Sequence, residues 1–285
     1  MGRRLLLAAT LASACALLGS CATAGAARSA PPPPPPETPH AAAARIAAKI
    51  RKADFEGDRA ALAALYEEMA PYTEGELASR ARYWRGFAMW RRALNGFNEE
   101  AEKTELAEDL NRCIGELEQA LAADPEFVDA KIGLASCAVN LAVISEGAER
   151  TQGYKRQWDL LNEAQKEAPD NPRLAWVLGA ARWYAPPKAG GGQAKAFETY
   201  KAGLAAARKE TVSDSLDPAW GEPELLMNLA FASLNAAKPN YQAADHYAHA
   251  ALNLVPNWHY VRDILIPQIQ AAREKASAGS SKPQH

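Results

Sequence analysis

Three groups of residues in this chain have types and spacings that could do chemistry. The first is Gly190-Gly191-Gly192-Gln193-Ala194-Lys195, a glycine-rich run ahead of a helix-forming stretch. Unpaired N–H groups at a helix start can hold an anion such as phosphate. A P-loop, however, needs Gly-x-x-x-x-Gly-Lys-Ser/Thr behind a buried strand. Here Lys195 is followed by Ala196, and no strand pattern precedes the glycines. The run reads as a turn in which glycine supplies positive φ after Pro186-Pro187. The second group is His246, His249 and His259 with Asp245 and Asp263. His246 and His249 share a helix face, but zinc needs three or four convergent ligands, and these histidines read as surface groups. No Ser-His-Asp, Cys-His or paired-carboxylate arrangement stands out. The chain therefore reads as a non-enzyme, with no metal and no cofactor. The third group is the cysteines: Cys15, Cys21, Cys113 and Cys137, too few for a disulfide scaffold. Cys113 and Cys137 fall on neighbouring predicted helices. A disulfide there would close a loop of about 25 residues and contribute about 3.5 kcal/mol. Two buried thiols packing as small apolar groups are the alternative.

Which of these applies depends on where the chain goes, and its start speaks to that. Arg3 and Arg4 precede an apolar run from Leu5 to Gly19. That run is shorter than the roughly 20 residues a bilayer crossing needs and has the layout of an export signal. Leu18-Gly19-Ser20-Cys21 resembles the lipobox of bacterial lipoproteins, in which the cysteine is acylated and becomes the mature N-terminus. The resemblance implies a signal peptide over 1–20 and lipid on Cys21. With Ala22 instead of Asp at the next position, it also implies the outer membrane, facing the periplasm. Residues 21–40, with six consecutive prolines from Pro31 to Pro36, have almost no large apolar groups to bury and read as a disordered, extended tether. Residues 275–285 are small and polar and read as a disordered tail. The chain carries 32 basic and 34 acidic residues, net −2; without Arg3 and Arg4 the balance is −4. Neither value favours nucleic acid as a partner.

The chemistry-bearing groups must be positioned by residues 41–274. Strong helix formers dominate this region. Apolar residues recur at helical spacing, as in Leu110, Cys113, Ile114, Leu117, Ala120 and Leu121. The class is all-α. Three segments repeat: Tyr83-Trp84-Arg85-Gly86, Ala130-Lys131-Ile132-Gly133 and Trp176-Val177-Leu178-Gly179, their glycines 47 and 46 residues apart. A second helix in three units ends on a small residue five positions before Pro125, Pro169 or Pro256. This pattern resembles the tetratricopeptide repeat (TPR), in which small residues let two helices approach closely and a proline ends each unit. The resemblance implies a right-handed solenoid of about four to five hairpins over 41–274. The units are longer than the usual repeat. The excess is expected as inserts at Asn95–Thr104, Ser145–Lys155 and Ala185–Gly192, with a longer inter-repeat loop from Thr211 to Pro223. Asn171-Pro172-Arg173, Tyr184-Ala185-Pro186-Pro187, Gly190-Gly191-Gly192, Trp220-Gly221 and Pro267 further resemble a family of exported bacterial TPR-like proteins, over roughly residues 120–270. That likeness implies fold and export and leaves the activity open.

Aligned on Gly86 and Gly179, Tyr83 matches Trp176, Trp90 matches Trp183, and Arg80 matches Arg173. In TPR folds these positions line the concave face. Arg80, Tyr83, Phe87, Trp90, Arg173, Trp176, Trp183 and Tyr184 are therefore the expected lining, and they suit an extended peptide or acidic tail. The alternative is that the rings fill the groove themselves. Two functions follow. One is a membrane-anchored scaffold that captures an envelope protein or peptide. The other is a solute-binding accessory lipoprotein of an envelope transporter, which would enclose an aromatic-lined cavity in place of an open groove.

Overall fold

The computed structural model describes residues 36–280. The signal peptide, Cys21 and most of the proline-rich tether lie outside the described residues. Five helical hairpins follow one another: α1 (Pro39–Glu56) with α2 (Arg59–Glu68), α3 (Ala78–Asn98) with α4 (Lys103–Ala123), α5 (Val128–Ile144) with α6 (Gly147–Glu167), α7 (Pro172–Tyr184) with α8 (Gln193–Ala207), and α9 (Glu222–Asn235) with α10 (Tyr241–Leu254). A short π-helical segment, Tyr260–Leu265, leads into α11 (Ile266–Ser280). Among the described residues there is no strand, and no helix is long and apolar enough to cross a membrane.

The boundaries follow from local chemistry. Thr38 caps α1 by accepting from the Ala41 N–H, with Pro39 in the first turn. Asp58 caps α2 and Asn240 caps α10 in the same way. Asn171 accepts from both Arg173 and Leu174, and Pro172 opens α7. The predicted close approach of helix pairs is present. A methyl group on Gly179 would overlap the ring of Tyr200 on α8, and one on Gly203 would overlap Ala175 on α7.

Three expectations change. The inserts at Asn95–Thr104 and Ser145–Lys155 are mostly helix: α3, α4 and α6 each run 21 residues, joined by short turns. Those stretches hold Glu, Lys and Ala, which permit helix, and the packing of α3 on α4 and of α5 on α6 extends it. Ala185–Gly192 does form an insert, a 3-10 turn at Pro187–Ala189 followed by Gly190 at φ 78° and Gly192 at φ 100°. The ends also differ. α1 begins at Pro39, inside the stretch assigned to the tether, and α11 continues through Lys275 to Ser280.

Cys113 on α4 and Cys137 on α5 form a disulfide, with both residues fully buried. It bonds one hairpin to the next. The first pair also meets the segment that follows α10, with the Phe55 ring 4.9 Å from that of Trp258.

Candidate functional site

Two first helices of the hairpins, α3 and α7, carry the residues expected on the concave face. Most of that face is covered. The covering element is the chain's own connection from Arg208 to Gly221, between α8 and α9. Leu216, Pro218 and Trp220 of this segment are buried. The Leu216 carbonyl accepts from Trp84 Nε1 at 2.8 Å, and Trp220 Nε1 donates to the Tyr83 hydroxyl at 2.8 Å. Trp220 lies 5.5 Å from Phe87, 5.8 Å from Trp90 and 5.6 Å from Trp176, ring centre to ring centre. These edge-to-face and tilted pairs are the arrangement aromatic quadrupoles favour.

Five of the eight expected lining residues are thus removed from the surface, and a sixth, Arg80, is half-buried. Tyr83, Phe87 and Trp90 are 1% exposed and Trp176 is 9% exposed. Burial pushes the Tyr83 phenol far above its ordinary range. Arg173 is buried, bonded through Nε to Asp129 at 2.8 Å and through Nη1 to Glu210 at 2.5 Å. Burial would depress it, but the two carboxylates together hold its pKa above the usual value. Arg80 is half-buried over the Phe127 ring, pairing with Asp124 at 2.5 Å and Asp217 at 2.7 Å. As free anchors in an open groove these six are corrected: the rings pack on one another and on Trp220, and the arginines are neutralised by acids of neighbouring turns. Of the two readings left open by the sequence, the rings fill the groove.

Trp183 and Tyr184 stand apart. Trp183 is half-buried, 6.2 Å from Phe197 and 6.2 Å from Phe231. Tyr184 is 78% exposed, the most exposed large apolar side chain among those described. The exposed Pro186, Pro187 and Lys188 follow it. Burial, with Tyr184 nearby, raises the phenol of Tyr200 and pushes that of Tyr260 up to about 12. The result is an aromatic lip: exposed Tyr184 beside Trp183, with Phe197 and Phe231 packed against the Trp183 ring.

The other groups singled out by the sequence are placed as follows. Gly192 N–H donates to the Arg182 carbonyl at 2.8 Å, so the glycine run closes the insert as a turn. His246 is exposed on α10, His249 bonds the Asp245 carbonyl, and His259 pairs with Asp263 at 2.8 Å.

The residue that sequence reasoning missed is Trp220. It sits in a long connection, where a chain exposed to water would be polar. The large apolar residues Leu216, Pro218 and Trp220 in that connection were the available signal. A second missed set is polar. Arg51, Asp54, Arg91 and Glu224 come together beneath the rings, with Arg91 Nε 2.8 Å from Asp54 Oδ2. Burial raises the Glu224 carboxyl above its ordinary range against the pull of Arg51 and Arg91.

No protein-family model and no curated protein sequence matches the chain. Two solved structures are similar to it. One is the HusA haemophore from Porphyromonas gingivalis, 20% identical, covering 69% of this chain and 95% of its own, with a TM-score of 0.54. The other is a thermophilic TPR protein of Thermus thermophilus, 18% identical, covering 81% of this chain and 96% of its own, with a TM-score of 0.50. These likenesses concern the fold, which is an all-α, TPR-like helical repeat.

Proposed function

We propose that this chain is a scaffold of the bacterial cell envelope, held to the outer membrane by lipid on Cys21, that binds a protein or peptide partner through the lip around Trp183 and Tyr184. The observation that carries this reading is the contrast in exposure along one helix end. Trp176 is sealed under Trp220, while Tyr184, two turns on, presents its ring to solvent at 78% exposure. Exposed aromatic residues on a rigid support are the usual anchors of protein contacts. Trp183 and the insert from Ala185 to Gly192 supply that support. The TPR-like fold fits a protein-binding role. Pull-down from an envelope extract with the full chain, compared with Trp183→Ala and Tyr184→Ala, tests it. Partners retained by both variants would refute the lip as the contact surface. Loss of membrane fractionation in Cys21→Ser tests the anchor, and unchanged fractionation would refute it.

A second reading is solute capture, as an accessory of an envelope transporter. Two observations favour it. The inner face is closed over by Trp220 instead of open, and one of the two similar folds is a haemophore. The lip offers flat aromatic surfaces and an exposed phenol, the surface a planar solute would meet first. Haem titration followed by its Soret band, in the wild type and in Tyr184→Phe, tests this reading. No spectral change in the wild type would exclude haem as the solute.

A further inference from the structure

We infer that the groove between α7 and α8 is a binding site for an aliphatic monocarboxylate, its carboxylate paired with Arg182 and its chain laid along Leu178 and Leu174. The inference goes beyond the lip, with which this groove shares no side chain, and it needs neither a protein partner nor haem.

Leu174, Leu178 and Arg182 stand four residues apart and form one stripe along α7. The stripe is about 12 Å long at the helical rise per residue. Together with Thr199, Gly203 and Ala206 of α8 it lines a cavity of about 130 Å³. The space follows from side-chain size. Gly203 brings α8 so close to α7 that a methyl on it would overlap Ala175. Ala202 and Ala206, on the same wall, are too short to fill what the larger leucines leave open. A cavity of this size would hold about four waters, or one short aliphatic chain.

Arg182 closes one end of the stripe. Its Nη1 donates to the Thr199 hydroxyl at 2.5 Å, and that hydroxyl donates to the Lys195 carbonyl at 2.7 Å. Thr199 thereby turns a lone pair toward Arg182 and holds the guanidinium at the groove. What Arg182 lacks is an acid. Arg59, Arg80 and Arg92 are also partly buried, and each pairs with two carboxylates. Among the described residues no carboxylate pairs with Arg182; Glu198, exposed on α8, acts on it only from a distance. Burial therefore pulls Arg182 below its ordinary range, while their acids hold Arg80 and Arg92 above theirs.

The missing partner and the cavity coincide, and together they define a ligand. A carboxylate is a strong, bidentate match for a guanidinium. A chain of CH2 groups behind it would take the Leu178 and Leu174 surface out of water. At the other end of the groove stands Asp170, an exposed acid, which repels a second carboxylate. The groove therefore selects one negative charge with one apolar tail.

The test follows the Arg182 Nε–H and the Gly203 amide by NMR in the 15N-labelled full chain, with Arg182→Gln identifying the first signal. Acetate, butyrate, hexanoate and adipate are the probes, with inorganic phosphate and chloride as control anions. Both signals should shift saturably with butyrate and hexanoate. Affinity should rise about fourfold for each CH2 seated in the groove, and adipate should bind more weakly than hexanoate. Arg182→Gln, read at Gly203, should weaken hexanoate about tenfold or more. Ala202→Leu, at an exposed position on the rim, should also weaken hexanoate about tenfold by filling the cavity, while Arg182 stays in place. Signals that stay fixed with every carboxylate would overturn the inference. So would equal affinities for acetate, hexanoate and phosphate, or hexanoate binding that Ala202→Leu leaves unchanged, since either would reduce Arg182 to a surface charge.

Discussion

Trp220 donates its indole N–H to the hydroxyl of Tyr83 at 2.8 Å, joining the last residue before the Gly221 turn into α9 to the second turn of α3. Both side chains are 1% exposed, and the bond spans 137 positions of sequence. It fixes the Arg208–Gly221 connection against the inner face and so decides which aromatic residues a partner can reach. Tyr83→Phe leaves a buried indole donor without its acceptor and is expected to cost about 1–3 kcal/mol. Trp220→Ala also removes a ring from the cluster and is expected to cost about 3–5 kcal/mol. Urea unfolding of the two variants checks the order; equal and negligible losses would mean that the connection is not held this way.

Helix spacing gives a paired prediction. A methyl at Gly179 runs into the Tyr200 ring on the facing helix, whereas a methyl at Gly115 on α4 meets nothing within 4 Å. Gly179→Ala is expected to destabilise by about 1–3 kcal/mol through overpacking. Gly115→Ala is expected to stabilise by about 0.5–1 kcal/mol, because alanine has less backbone freedom to lose in a helix. Thermal unfolding of both proteins distinguishes them, and a shift in the same direction would contradict the close-packing argument.

The disulfide contributes through the unfolded chain. Replacing Cys113 and Cys137 with alanine opens a loop with a sequence separation of 24 residues and is expected to cost about 3.5 kcal/mol by the chain-entropy model. The bond is fully buried, so the native protein should resist mild reductant and yield free thiols only once unfolded. Thiol counting with and without urea measures this directly.

Asp214 gives a pH dependence. Its carboxylate accepts from the Leu216 N–H at 2.8 Å and pairs with His40 at 2.7 Å. First the backbone bond and then the histidine hold its pKa below the ordinary value. An acid lowered on folding adds stability that is present above its unfolded pKa and is lost as pH falls through the folded one. Asp214→Asn should therefore be less stable than wild type at neutral pH, with the gap closing under acid conditions. Asp214 is about half exposed, so the gap is expected to stay within about 1 kcal/mol. A gap that widens on acidification would reverse the assignment.

The all-α class, the hairpin repeat and the small-residue contacts were legible because they depend on local propensity and spacing: Gly86, Gly133 and Gly179 recur on the first helices, and prolines follow the second ones. The length of α3, α4 and α6 was less legible, since a stretch such as Asn95–Thr104 can be loop or helix until packing decides. The inner face was misassigned for a different reason. Tyr83, Phe87, Trp90 and Trp176 do face inward, but spacing within a repeat does not reveal that a connection 137 positions beyond Tyr83, carrying Leu216 and Trp220, lies across them. The polar node had no signature at all, because Asp54, Arg91 and Glu224 belong to three separate helices.

Photo-crosslinking from position 184 tests the central claim most directly. A crosslinking residue at Tyr184 is compared with one at Val212, which is 37% exposed on the connection that closes the inner face. In intact envelopes, position 184 should give a discrete crosslinked partner that disappears when Trp183 is changed to alanine, and position 212 should give none. A partner captured from position 212, or one captured from 184 whether or not Trp183 is present, would contradict the lip as the binding surface.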